Sequence, residues 1–297
     1  MTDQKPKAPA GADFEAGLSA ADKSVASFAR DDKTIGYILR GILRRNPTII
    51  PAMVLLISVI SFGIIAPNFM TPGVLSLVLK QVTVTGVVAI AQTLIILTAG
   101  IDLSVGAIAV LSSVIMGQFT FRYGLPPEVA VACGLICGAL CGYINGFLVA
   151  VMKLPPFIVT LGMWQIVLAT NFLYSKNETI RSQDIEANAP ILQFFGTRFN
   201  IGGAVFTYGV VFVVLLVLVL AYALRHTAWG RHVYAVGDDP EAAELSGVNT
   251  RKTLISVYML SGLICAFAGW ALIGRIGSVS PTSGQFANIE SITAVVI

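Results

Sequence analysis

Charge is scarce in this sequence. Only 12% of its 297 residues are Asp, Glu, Lys or Arg, about half of the roughly 25% that a water-soluble domain carries because its surface has to be wetted. The net charge is +3, and the basic residues flank apolar runs rather than gathering into a patch, which argues against nucleic-acid binding. Histidine is rarer still. His226 and His232 share one short polar loop without matching cysteines or paired acids, so no metal site is expected there. The four cysteines, Cys133, Cys137, Cys141 and Cys265, all lie inside apolar runs and read as small buried hydrophobes, neither disulfide partners nor metal ligands. A Gly-x-x-x-x-Gly-Lys-Ser/Thr phosphate loop, a nucleophile elbow and a metal-type histidine pair are all missing. This chain is therefore expected to bind no cofactor and to catalyse no reaction.

What fills the sequence instead is apolar: 56% of the residues are hydrophobic, arranged in uncharged runs long enough to cross about 30 Å of hydrocarbon as helices. The expected fold is an all-α, polytopic transmembrane helix bundle in contact with membrane lipid. Spans are placed at 48–66, 82–99, 104–121, 129–151, 156–174, 206–224 and 253–274. A further apolar stretch, Ile289 to Ile297, amounts to about 14 Å of helix and reads as the start of another span in a chain truncated at its C-terminus. Residues 1–33, rich in Ala, Asp, Lys and Pro, read as a disordered tail without the apolar segment of a signal peptide. Residues 34–47 read as a basic amphipathic helix lying on a membrane, with Ile35, Ile38, Leu39, Ile42 and Leu43 on one face, Arg40, Arg44 and Arg45 elsewhere, and Pro47 ending it. Residues 48–297 form the membrane domain. The excess of basic residues on the inner side puts the N-terminus in the cytoplasm together with Lys153 and the loop 225–252; Arg122 and Arg275 fall outside and count against the scheme.

Four features bear on mechanism. Gly134, Gly138, Gly142 and Gly146 line one face of the fourth span with bare backbone, which favours close helix packing over a glycine-lined substrate path. Between the second and third spans, Gly100 to Gly106 holds Asp102 and Ser104. Asp102 could cap the third helix from its N-terminal side or line a polar cavity. Inside the spans, Gln92, Asn145, Thr160, Gln165 and Asn171 point to an uncharged hydrogen-bonding solute more than to an ion, helix–helix hydrogen bonds being the plainer alternative for any one of them. Within the loop 225–252, Asp239 suits an N-cap, Pro240 the first helical position, Glu241 the first turn and Gly247 the C′ position, so 240–246 is predicted to be a short helix. Presenting Ala242 and Ala243, it could lie in a groove of a soluble partner, or it could be an ordinary capped loop.

Four segments together resemble a known family. They are Gly100 to Gly106 (GIDLSVG), Asn145-Gly146 followed by Pro155 to Gly162 (PPFIVTLG), Gly230-Arg231 through Gly237, and Glu241 to Gly247. The chain from about residue 50 onward is similar to the inner-membrane permease subunits of bacterial ABC importers for monosaccharides of the ribose, arabinose, xylose and fructose type. The resemblance implies a homodimer of permease chains in the bacterial inner (plasma) membrane, a cytoplasmic ABC ATPase that carries ATP and Mg, and a periplasmic sugar-binding protein. It assigns ATPase coupling to Asp239, Pro240, Glu241, Ala242, Ala243, Leu245, Ser246 and Gly247. Asp102, Ser104, Gln92, Asn145, Thr160 and Gln165 are the candidates for substrate path or hinge. The same machinery could serve another polyol, a nucleoside or a furanosyl signal molecule. An ion-coupled secondary transporter would call for paired acids in the spans and an inverted repeat, and neither is found; a purely structural anchor leaves the capped helix without a reason.

Overall fold

A computed structural model describes residues 48–201, 204–284 and 287–296; the expected tail (1–33) and interfacial helix (34–47) lie outside the described residues. Contacts divide the chain after Ile60, within helix α1 (Ile49–Ile65), which is apolar and uncharged. The remaining elements belong to the second unit. They are α2 (Pro72–Ile96), α3 (Val105–Phe121), α4 (Pro127–Ala150), α5 (Pro156–Ser175), the short α6 (Ser182–Asn188), a 3₁₀ turn (Pro190–Gly196), strands β1 (Arg198–Ile201) and β2 (Ala204–Thr207), α7 (Tyr208–His226), α8 (Ala228–Asp238), α9 (Pro240–Leu245), α10 (Thr250–Ile276) and α11 (Ala287–Val296).

Each expected span has its helix. Five of them, α2, α4, α5, α7 and α10, are long and apolar enough to cross a membrane, while α1 and α3 have 17 residues and α11 has 10. The α-helical, polytopic architecture expected from the apolar runs is therefore the one observed. One boundary moves: α2 begins at Pro72, not at residue 82, because Lys80 and Gln81 sit within the helix and do not end it. Proline opens α2, α4, α5 and α9, where its missing N–H belongs to a turn without intrahelical acceptors. The stretch 175–205, read only as a mixed-charge loop, holds α6 and an antiparallel hairpin pairing Arg198 with Thr207 and Phe199 with Phe206.

The bundle's interior is mainly apolar with some polar groups set among it, and its outside is apolar as well. Gln92, Asn145, Thr160, Asn171 and Ser261 are buried, whereas Ile136, Leu140, Phe147, Leu215, Leu218 and Tyr222 stand exposed on α4 and α7. Apolar surface on this scale suits lipid, not water. Helix α10 is the centre: 72% of its most apolar stretch is buried, against 11% for α7. It packs on α4, α2 and α3.

The glycine face of α4 makes several of the closest of these contacts. A Cβ at Gly142 would strike the Tyr258 carbonyl, one at Gly138 the Gly262 carbonyl and Ala266, and one at Gly146 the backbone of Ile255. Gly262 reciprocates, its missing side chain admitting the Gly138 carbonyl and the Gly142 backbone. Gly134, further along α4, meets Met116 and the Ser112 carbonyl of α3. Without a hydrophobic drive in lipid, such close van der Waals contact is what holds helices together.

Candidate functional site

The turn between α2 and α3 carries most of the buried polar chemistry. The chain leaves α2 through Ala99, which has φ of 57°, and Gly100, where a Cβ would crowd the Tyr258 hydroxyl and Ile95. Asp102 follows and is 2% exposed. Its Oδ1 accepts hydrogen bonds from Ser104 N (2.7 Å) and Ser104 Oγ (2.6 Å). Asn145 of α4 donates from Nδ2 to Ser104 Oγ at 2.9 Å, and Thr160 of α5 donates from Oγ1 to the Ile101 carbonyl at 3.2 Å. One turn of chain is thus tied to two neighbouring helices, and Asp102, Ser104, Asn145 and Thr160 form one cluster.

Asp102 does not cap α3 in the expected way. The N-cap position belongs to Ser104, whose N–H and hydroxyl both turn to the carboxylate, so Asp102 closes a local turn ahead of the helix. The first-turn N–H of Gly106 donates instead to Asn288 Oδ1 of α11. Replacing Asp102 by Ala would leave the buried Ser104 N–H without an acceptor, at about 1–3 kcal/mol. The expected result is a lower melting temperature in detergent with Asp102→Asn falling between wild type and Ala; an unchanged melting temperature for Asp102→Ala would show that the cluster contributes nothing.

Two other candidates stand apart. Gln92 of α2 is completely buried, and neither its Nε2 nor its Oε1 has a partner among the described residues. Gln165 is exposed, five residues along α5 from Thr160 and so roughly 140° around the helix from it. It faces outward and is not part of an internal path.

The loop after α7 is built from α8 and α9. Thr227 Oγ1 accepts from Gly230 N at 3.2 Å, and Trp229 Nε1 donates to Ser256 Oγ of α10 at 2.8 Å. At the other end of α8, Gly237 lies so close to the Leu97 carbonyl that no side chain would fit. Helix α8 therefore abuts the start of the turn that carries Asp102. Its successor α9 has the expected cap: Asp239 Oδ1 accepts from Glu241 N (2.9 Å) and Ala242 N (3.0 Å). Gly247 has φ of 85°, a conformation that favours glycine. The exposed face differs from the expected one. Ala243 is buried, so of the two alanines only Ala242 faces outward, with Glu241, Glu244, Ser246 and Leu245; Leu245 is 90% exposed. The contacts of Trp229 and Gly237 carry no signal in the sequence, because their partners lie in other spans.

A cavity of about 260 Å³ opens beside Gly106, between α3, α5 and the segment leading into α11. Asn171 lines it. Among the described residues no group of three or more metal-ligating side chains occurs.

A family described as "Branched-chain amino acid transport system / permease component" matches residues 74–297. The chain belongs to this permease family. The permease is 66% identical to the fructose import permease protein of Rhizobium meliloti over 286 residues, which is 96% of this chain and 79% of that protein. It is 36% identical to the ribose import permease protein of Bacillus subtilis over 83% of this chain and 74% of the relative. With the ribose import permease protein of Escherichia coli K12 the identity is 34%, over 88% and 79%. No solved structure matches the permease. The resemblance to monosaccharide importers read from Gly100 to Gly106 and the three other segments holds, as does the reading of a multi-pass membrane transport component. Of these regions, the permease has Asp102, Ser104, Asn145 and Thr160 together in its interior, and Glu241 and Leu245 at its surface.

Proposed function

We propose that this permease is the membrane-spanning subunit of an ATP-driven importer of a monosaccharide, with fructose the first candidate cargo. It works as a homodimer in the bacterial inner membrane, with its N-terminus in the cytoplasm, beside a cytoplasmic ABC ATPase and a periplasmic sugar-binding protein. The observation that carries the reading is the contact of Gly237 with the Leu97 carbonyl. It supports a mechanical route from the surface helix α9, through α8, to the turn at Ala99 and Gly100 and so to the buried cluster around Asp102. ATP-driven closure of the ATPase pushes α9; α8 pivots as one helix about its start, where Trp229 holds it to α10; and its far end, at Gly237, shifts the turn and with it Asp102 and Ser104 relative to Asn145 and Thr160. Alternating access then needs no charge on the solute, which agrees with the uncharged polar residues inside the spans. The cargo follows from the fructose import permease that shares 66% of its residues with this chain over 286 positions.

The test is reconstitution of the permease with its partner ATPase and sugar-binding protein. Fructose-loaded binding protein is expected to stimulate ATP hydrolysis and uptake more than ribose-loaded protein. Stimulation by ribose alone, or by a nucleoside or polyol, would change the cargo and leave the machinery standing. Uptake that survives ATP depletion while a proton gradient is maintained would overturn the machinery itself.

A further inference from the structure

The structure assigns a solute subsite to the cavity between α2, the C-terminal end of α10 and α11: a place where hydroxyls of a neutral monosaccharide bridge the Glu290 carboxylate and the Arg275 guanidinium. This inference rests on the sugar-import reading above. The cavity has a volume of about 680 Å³, within the roughly 300–1,000 Å³ of pockets that hold small molecules. Gln81 and Thr85 reach it from one face of α2, Arg275 from the last turn of α10, and Glu290 and Thr293 from one face of α11.

Glu290 is the decisive residue. It is an exposed acid in a chain where charge is scarce, and Thr85 donates to its Oε2 at 2.9 Å. Thr85 lies close to the midpoint of α2 (Pro72–Ile96), so the carboxylate stands about halfway along a helix long enough to cross the membrane. An acid at that depth is costly against lipid, and such residues face a water-filled cavity or a solute path. Arg275 opens on the same cavity. Its Nη1 donates to the Gln81 carbonyl at 3.1 Å, and the rest of its five-donor fork has no hydrogen bond among the described residues. The opposite charges do not meet: among the described residues the ion pair within 4 Å is Arg122 with Glu178. Glu290 Oε1 is likewise without a partner among the described residues. A carboxylate and a guanidinium that share a cavity without touching leave a gap between them. A hydroxyl fills it, donating its proton to one and accepting from the other.

The neighbouring groups suit the same solute. Thr85 and Thr293 have spent their protons on Glu290 and on the Ile289 carbonyl, so each has lone pairs left to accept with. The walls therefore offer acceptors on α2 and α11 and a donor on α10. A zwitterionic amino acid brings its donors in one cluster, the ammonium, whereas a sugar distributes hydroxyls around its ring and reaches all three walls. The subsite is also joined to the coupling route. Asn288, two residues before Glu290, accepts the Gly106 N–H of α3, so a shift of the turn that carries Asp102 moves α11, and with it Glu290 relative to Arg275.

The experiment uses the reconstituted importer, with uptake of fructose and of its monodeoxy analogues measured for wild type and Glu290→Gln. The same saturating binding protein serves both, so its own preferences cancel in the ratio of the two rates. That ratio is expected to be about tenfold for fructose, the effect of one weakened hydrogen bond to a charged group. It is expected to be close to one for the analogue lacking the hydroxyl that Glu290 receives. A ratio that is the same for every analogue would mean that Glu290 acts through packing alone, and would overturn the subsite although import stands; uptake by the variant at the wild-type rate would do the same. If wild type imports no sugar, the import reading fails and the subsite with it. Should Glu290→Gln not assemble, Arg275→Gln is taken through the same series, and a uniform ratio again overturns the proposal. Glu128→Gln, at the exposed start of α4, is expected to behave as wild type.

Discussion

Gly142→Leu is expected to leave less than about a tenth of the wild-type amount of monodisperse protein after extraction from the membrane. At Gly142 the obstruction is the Tyr258 carbonyl, with the Gly262 backbone beside it. Backbone cannot step aside as the end of a long side chain does. Extra methylenes in a well-packed core cost about 1–3 kcal/mol even where neighbours can shift, and here four carbons would separate α4 from the helix at the centre of the bundle. The matched control is Gly162→Leu on α5, where nothing lies within 4 Å of an added Cβ; its yield should equal that of wild type. Size-exclusion profiles of the two variants expressed side by side decide the matter. A monodisperse Gly142→Leu at full yield would mean that the glycine face of α4 is not what joins it to α10.

Leu245→Glu is expected to uncouple the permease without harming it. A leucine that is 90% exposed contributes little to the folded chain, so expression and thermal stability should not change. On the proposed reading that side chain seats in an apolar groove of the ATPase, and a carboxylate there would be stripped of water with no partner. Co-purification of the ATPase and ATP-dependent uptake should both fall by at least about tenfold, the equivalent of roughly 1.4 kcal/mol. Glu241→Arg, on the same exposed helix, should weaken association to a lesser degree. Full ATPase recovery and normal uptake with Leu245→Glu would remove α9 from the coupling route.

What was legible in the sequence is what local chemistry determines. Apolar runs located the helices because lipid imposes a length on them, and Asp239, Pro240 and Gly247 marked α9 because caps and turns depend on a few adjacent residues. Lys80 and Gln81 misled the boundary of α2, since a hydropathy pattern cannot distinguish a water interface from a helix that continues through a polar pair. The hairpin of β1 and β2 did have a signal, an alternating run (Arg198 to Ile201) and a short apolar run (Ala204 to Phe206) on either side of Gly202-Gly203, which the charge content of the region obscured. Other features had no local trace. The partner of the Gly106 N–H is Asn288, 182 positions away. Which of Ala242 and Ala243 faces outward depends on what α9 packs against. Asn171 could be recognised as a polar residue in an apolar helix, but only the position of the Pro281 carbonyl shows which of its amide atoms is left without a partner.

The bare-backbone joint between α4 and α10 also bears on how rigid the bundle can be. A seam of leucines retains rotamers to exchange among, and closing it costs side-chain entropy at every position. Glycine has no rotamers, and in lipid each helix already has its backbone ordered before two helices meet. Bringing Gly138 and Gly142 against Gly262 therefore forfeits almost no side-chain freedom and leaves no second arrangement to relax into. The pair is a weld, not a bearing, and any movement that carries a solute across must take place around it.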